Sequence, residues 1–248
     1  MLKFLQGPHL AVVEARSAME FKKCVIRFAN TVGFELVSAM FVVDHSRGHT
    51  EFNVVDNMPA AYGLGFNDAS LQLADPVMQH CKSSAIPVVW DQASYLEADR
   101  ANLWEEQAGH GLKTGVATAI HLPGDRHFFI GVDRAKPLPR RPQRLAEIVA
   151  ELQLFAVHAQ DAALRIFCPD LPSVEGGSPL TPRETDALRW TMEGKSAAAV
   201  GEILNISERT AVFHLQNAMR KLGCTSKHQA VLKAMRLGLI ARDLWPGS

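Results

Sequence analysis

The sequence has no surplus charge, no closely spaced cysteine pair and no long apolar run. Its 26 Lys and Arg balance 26 Asp and Glu over 248 residues. Cys24, Cys81, Cys168 and Cys224 lie far apart without a CxxC, which argues against a disulfide framework or zinc knuckle and suits a reducing cytoplasm. No apolar stretch approaches the roughly 18 residues of a membrane span, and residues 1–4 lead into Gln, Gly and Pro rather than a signal-peptide core. Export and membrane insertion are therefore not expected. There is no GxSxG elbow, no HExxH and no Gly-rich phosphate loop, and His45 and His49 stand in an apparent loop without a carboxylate, His and Cys set nearby. Neither catalytic residues nor a metal or cofactor are expected.

What is present is a soluble globular composition, 47% hydrophobic and 21% charged, with room for two domains. The charge balance hides a split: residues 1–177 hold 16 Lys and Arg against 20 Asp and Glu, a net of −4, and residues 178–248 hold 10 against 6, a net of +4. The smaller part is basic. Three prolines and a Gly-Gly pair in residues 168–180 read as a linker, giving a first domain over residues 1–167 and a second over 181–248.

In the first domain, Leu145, Ile148, Val149, Leu152, Phe155, Ala156, Ala159, Ala163 and Ile166 recur at helical spacing and predict one long amphipathic helix. Met19, Val25, Phe28 and Val32 predict an earlier helix stopped by Gly33. Strands are expected over residues 33–43, 51–55, 116–122 and 127–133, the last two joined by a turn at Pro123-Gly124-Asp125, with helices around 71–82 and 98–110. This is an α+β pattern, an α/β/α sandwich around an antiparallel sheet.

The second domain reads as an all-α unit of four short helices. Thr181-Pro182-Arg183-Glu184 is a capping box with Pro at the first helical position, Ser196, Ser207 and Ser226 are N-caps, and Asn205-Ile206 is a tight turn. Two short helices joined by such a turn in a basic domain suggest a helix-turn-helix. On a helical wheel Ala211, Leu215, Ala218 and Leu222 form a core stripe, and Arg209, Phe213, Gln216 and Arg220 lie opposite, flanked by Val212 and Asn217. Gln can pair with adenine, Arg with guanine, and Val or Phe can pack on a thymine methyl. Lys195, Ser207, Thr210 and Lys221 are expected to anchor phosphates. The alternative for each is a solvated helix face.

Over nearly the whole domain, with Glu184, Leu188, Gly194, the ISERT run and the RKL run, the sequence resembles the C-terminal helix-turn-helix of LuxR-type transcription regulators. Relatives commonly carry a basic residue where this chain has Val212. In the first domain no receiver-like order of alternating strands and helices is seen. Asn57 to Tyr62, Asp75-Pro76-Val77, Pro87 to Trp90 and Gly111 to Gly115 instead resemble, in order and spacing, the autoinducer-binding domain of quorum-sensing LuxR-type regulators.

That resemblance implies an apolar pocket for an acyl-homoserine lactone or related amphiphile. Asp75 matches the carboxylate that accepts the ligand amide N–H, although Asp before Pro is also an N-cap pair. Trp90 matches the aromatic over the ligand head, and Gly115 allows close backbone approach. Tyr62 stands where the family has its head-group Trp, Phe66 stands in place of a Tyr, and Gly131 in place of a Ser or Thr, so the polar contacts differ from those of an ordinary lactone receptor. Ser38, Val77 and Trp104 are expected on the remaining wall.

The function implied is a cytoplasmic, ligand-responsive regulator that binds a pseudo-palindromic promoter site on double-stranded DNA as a homodimer. The alternatives are a ligand-independent regulator whose first domain only dimerises and, in another class, a lactone-processing enzyme.

Overall fold

The computed structural model describes residues 6–45, 49–59, 74–168 and 180–240. They form two compact units.

The first unit is built on a five-stranded sheet: β1 (Leu36–His45), β2 (His49–Asp56), β3 (Val88–Trp90), β4 (Thr114–Leu122) and β5 (Arg126–Arg134). Their order is β2-β1-β5-β4-β3, with every pair antiparallel. The β4–β5 hairpin turns at Gly124 and Asp125, both at positive φ, as the Pro-Gly-Asp signal predicts. Alternation along the strands divides the sheet. Val37, Ala39 and Phe41 with Phe128, Ile130 and Val132 enter the main core, and Met40, Val42 and Phe129 face the other side.

The main core is closed by α1 (Gly7–Glu14), α2 (Ala18–Val32) and α6 (Pro142–Phe167). Helix α2 is capped by Ser17 and ends at Gly33, whose φ of 89° suits glycine. Met19, expected in its apolar stripe, is exposed instead; Phe21, two residues on, takes the buried position. Helix α6 buries Ile148, Leu152, Phe155, Ala156, Ala159, Ala162 and Ala163, and Phe155 stacks on Phe28 with ring centroids 4.0 Å apart. The four alanines let the helix approach closely. Full burial of Leu152 and Phe155 contributes about 1.5–3 kcal/mol each.

The opposite side carries α3 (Pro76–Ser83), α4 (Gln92–Glu97) and α5 (Ala101–Gly109). Sequence patterning did not reveal α1, β3 or α4, each of at most eight residues.

The second unit is all α: α7 (Pro182–Met192), α8 (Ala197–Leu204), α9 (Glu208–Lys221) and α10 (Lys227–Arg236). Every expected cap forms. Thr181 and Glu184 make the reciprocal capping box, and Ser196, Ser207 and Ser226 accept from Ala199, Thr210 and Gln229 N–H groups. Asn205 ends α8 in the left-handed region at φ 54°. The turn is tight against Gly201: a Cβ there would lie 2.9 Å from the Ile206 carbonyl oxygen and 3.1 Å from the Glu208 nitrogen. Ala211, Leu215, Ala218 and Leu222 enter the core of this unit with Leu188, Val200 and Leu180. The linker expected over 168–180 falls mostly outside the described residues, and its last residue, Leu180, is core rather than linker.

Candidate ligand cavity and nucleic-acid interface

Between the sheet and α3 to α5 lies a narrow recess with about 70 Å³ of free volume, below the roughly 300–1,000 Å³ of small-molecule sites. Its wall is mostly apolar, with Met40, Trp90, Leu112 and Phe129 among the residues that line it.

Asp75 is its polar centre, and the carboxylate already holds four hydrogen bonds. Oδ1 accepts from the backbone N–H groups of Val77 (2.8 Å) and Met78 (3.0 Å), which makes Asp75 the N-cap of α3. Oδ2 accepts from the Tyr95 hydroxyl at 3.0 Å and from Gln107 Nε2 at 2.8 Å. The capping role is therefore real, and a carboxylate has only about four lone-pair sites. A ligand N–H would have to share or displace the Tyr95 or Gln107 donor.

Trp90 ends β3, is buried, and meets Tyr95 edge-on with centroids 5.6 Å apart. Its position depends on Gly115, the residue paired with it on β4. A Cβ on Gly115 would fall 2.6 Å from Trp90 Nε1 and 2.5 Å from an Asp133 carboxyl oxygen, so glycine is required for close approach. Ser38 and Val77 line the recess as expected, and Ser38 pairs with Gly131 across β1 and β5.

Trp104 does not line it. Its indole N–H donates to the Lys113 carbonyl at 3.1 Å, and the ring packs on the cluster of Trp90, Tyr95 and Leu112. That hydrogen bond turns the indole toward the backbone, which corrects its assignment to the wall. Tyr62 and Phe66 lie outside the described residues.

Sequence reasoning missed Tyr95, Gln107, Cys81 and Asp133 on this wall. The first two reach Asp75 from 20 and 32 residues away, leaving no local signal. Asp133 had one, since it follows Phe129 and Gly131 at period two on β5. Burial, with the Asp75 charge nearby, pushes the Asp133 carboxyl up to about 8. Burial likewise pushes the Cys81 thiol up to about 12.

On the second unit, α9 presents Arg209, Phe213, Gln216 and Arg220 to solvent, with Phe213 58% exposed, and Val212 and Asn217 half-buried at the flanks. Arg220 donates to Asn217 Oδ1 at 3.1 Å, tying two of these residues together. Lys195 is exposed just before α8. The Ser207 and Thr210 hydroxyls are 2.8 Å apart, and Ser207 also caps the helix.

Lys221 is exposed at the end of α9 and is also tied into the unit. Its ammonium pairs with Glu184 at 2.8 Å, and its side chain is 32% exposed. Its first partner is a carboxylate within the unit.

Among the described residues no helix is long and apolar enough to cross a membrane, and no cluster of His, Cys, Asp or Glu could hold a metal ion.

Residues 17–163 match the model of the autoinducer binding domain, and residues 178–234 match that of bacterial regulatory proteins of the luxR family. The chain is 28% identical to the transcriptional activator protein AnoR of Acinetobacter nosocomialis over 93% of this chain and 96% of that protein. It is 34% identical to the transcriptional activator SolR of Ralstonia nicotianae over 75% of this chain and 78% of that protein. Among solved structures, Escherichia coli SdiA is similar with a TM-score of 0.72 and 26% identity, covering 94% of this chain and 96% of SdiA. A structure of SdiA in complex with octanoyl-rac-glycerol is similar with a TM-score of 0.70 and 27% identity, covering 94% of each chain. The chain thus belongs to the LuxR family of quorum-sensing transcription regulators, those that join an autoinducer-binding domain to a C-terminal helix-turn-helix.

Proposed function

We propose that the protein is a cytoplasmic regulator whose first domain, residues 1–167, takes a neutral acyl amphiphile such as an acyl-homoserine lactone, and whose second, residues 181–248, binds a pseudo-palindromic promoter site as part of a homodimer. The observation that carries this is the apolar recess closing on Asp75, with Trp90, Tyr95 and Gln107 around it. An acyl tail suits the Met40 and Phe129 side, and an amide or ester head finds hydrogen-bonding groups at the other. That the similar SdiA structure holds octanoyl-rac-glycerol, an acyl chain on a polar head, supports the same class of ligand.

Ser38, Val77, Asp75 and Trp90 are the contacts we assign to the ligand. Lys195, Ser207, Arg209, Thr210, Val212, Phe213, Gln216, Asn217 and Arg220 are those we assign to DNA, with Gln216 and Arg209 reading bases and Lys195 neutralising phosphate. The dimer is assigned to α6, whose outer face keeps Leu154 and Val157 about half exposed beside its buried stripe.

One observation favours a second reading, in which the first domain serves only as a scaffold. The Asp75 carboxylate is fully satisfied by protein donors, so this group needs no ligand to offset its desolvation cost. Cys81 is unsuited as a nucleophile for lactone turnover, because burial raises its thiol and keeps it protonated.

Mass spectrometry of small molecules extracted from the purified protein, followed by thermal melting with N-octanoyl homoserine lactone and with 1-octanoylglycerol, tests the leading reading. A ligand at about 100 times its Kd adds about 2.7 kcal/mol. An empty extract and no upward shift with either compound favour the scaffold.

A further inference from the structure

The recess holds a second carboxyl group that the assignments above do not use. Asp133 is 6% exposed, lines the recess, and makes no hydrogen bond or ion pair among the described residues. Strand alternation puts it on the same side of β5 as Phe129 and Gly131, away from the main core that takes Phe128, Ile130 and Val132. The missing side chain of Gly115 leaves room for Asp133 and the Trp90 indole to converge on one point. Burying a carboxyl this deeply without a protein partner carries a desolvation cost. That cost is recovered only when something in the recess satisfies it.

We propose that Asp133 is a specificity-determining residue that donates its carboxyl proton to an acceptor oxygen on the head of the ligand, beside Trp90. The recess then favours amphiphiles whose head carries a carbonyl or equivalent oxygen over the same molecule without it. Burial supports the donor form: with the carboxyl pushed up to about 8, it is protonated at neutral pH. Asp75 and Asp133 then divide the work, one accepting and the other donating. A cationic head is the opposite expectation and would need Asp133 ionised.

Among the described residues, the titratable groups that share the recess with Asp133 are Asp75 and Cys81 from the α3 side and the Tyr95 hydroxyl from α4. Arg134, next on its own strand, turns away to the Gly33 carbonyl and the Phe34 ring. Cys81, at about 12, does not titrate near 8.

This inference rests on the ligand-cavity reading, and the test separates the two. Full-length protein is titrated by calorimetry with N-octanoyl-2-aminocyclopentanone and N-octanoylcyclopentylamine, hydrolysis-resistant probes that differ by one ring carbonyl. Wild type is expected to prefer the ketone by about 5- to 10-fold near pH 6. Asp133→Leu should bring the two within about twofold, and Asp133→Asn, whose amide can still donate, should keep the preference. The wild-type preference should fade as pH rises toward about 9.5, while that of Asp133→Asn stays flat. The Asn variant and the pH series keep the test decisive if the Leu variant fails to fold. Equal affinity of wild type for both probes, or a preference that survives in Asp133→Leu, overturns the inference while leaving the cavity reading intact. A wild-type preference that grows with pH overturns the donor role. Failure of both probes, and of N-octanoyl homoserine lactone, to bind wild type rejects the cavity reading and this inference with it.

Discussion

Glu184 Oε2 accepts a hydrogen bond from Lys221 Nζ at 2.8 Å, joining the first turn of α7 to the last residue of α9. The same oxygen accepts from the Thr181 backbone N–H, also at 2.8 Å. Burial alone would push Glu184 up, but the Lys221 and Thr181 hydrogen bonds outweigh it and hold the carboxyl below its ordinary value. One carboxylate therefore caps a helix and fixes the end of the candidate recognition helix.

Lys221→Ala should accordingly act on stability before it acts on DNA. It leaves a carboxylate that is only 5% exposed without its cation, at an expected cost of about 1–3 kcal/mol. The salt dependence of DNA binding should change little. Melting curves and a salt titration on operator DNA check this together; unchanged stability with a salt slope reduced by about one unit would restore the phosphate-contact role.

The same pair predicts a direction with pH. A carboxyl held below its unfolded value contributes stability that is present above that value, 4.5 for an ordinary Glu, and is lost as pH falls through the lower folded one. The melting temperature of the wild-type unit should drop as acid is added below about pH 5, and Glu184→Gln should start lower and fall less. Calorimetry across that range reads both slopes.

Asp75→Ala should destabilise the protein even with no ligand present, by about 2–4 kcal/mol, because it removes the cap of α3 and strands the Tyr95 and Gln107 donors. Tyr95→Phe, which removes one donor, should cost about 1 kcal/mol. If Asp75→Ala melts like wild type and loses only ligand binding, the carboxylate is a ligand contact and little else.

For DNA, Gln216→Ala is expected to relax preference at one base position, with a loss of about 1–3 kcal/mol on the specific site, while Lys195→Ala should weaken all sequences alike. Equal loss on operator and random DNA for Gln216→Ala would reject its base-reading role. Binding curves on an operator series with single substitutions measure both.

Charged substitutions at Leu154 and Val157, on the exposed side of α6, should shift full-length protein toward monomer without lowering its melting temperature by more than about 1 kcal/mol equivalent. Sedimentation at tens of micromolar decides; a double Glu variant that stays dimeric moves the interface elsewhere.

Much of the fold could be read from local chemistry. Thr181, Ser196, Ser207 and Ser226 each announce a helix by a side chain that reaches only three residues ahead, and the observed caps follow them. The long stripe of α6 was as clear, since its period persists over 26 residues. Helix α4 was missed although Asp91 and Ser94 form a capping box, because the third position carries Ser rather than Glu or Gln and the helix is only six residues long. The site was less legible than the fold. Asp75 and Trp90 came from resemblance, whereas Gln107 and Tyr95 meet Asp75 only after the helices have packed, and the Glu184–Lys221 pair spans 37 residues.

At Gly201 the absence of one methyl group acts as a gauge for the helix-turn-helix. Any larger residue would wedge the Ile206 and Glu208 backbone away from α8 and tilt α9, although the apolar core beneath could still close. Alanine there is an innocuous exchange by helix propensity, yet it would change the angle at which a row of side chains is offered to a groove. Variation at this position should therefore show itself as altered operator choice in a protein that folds well, a fault of aim rather than of strength.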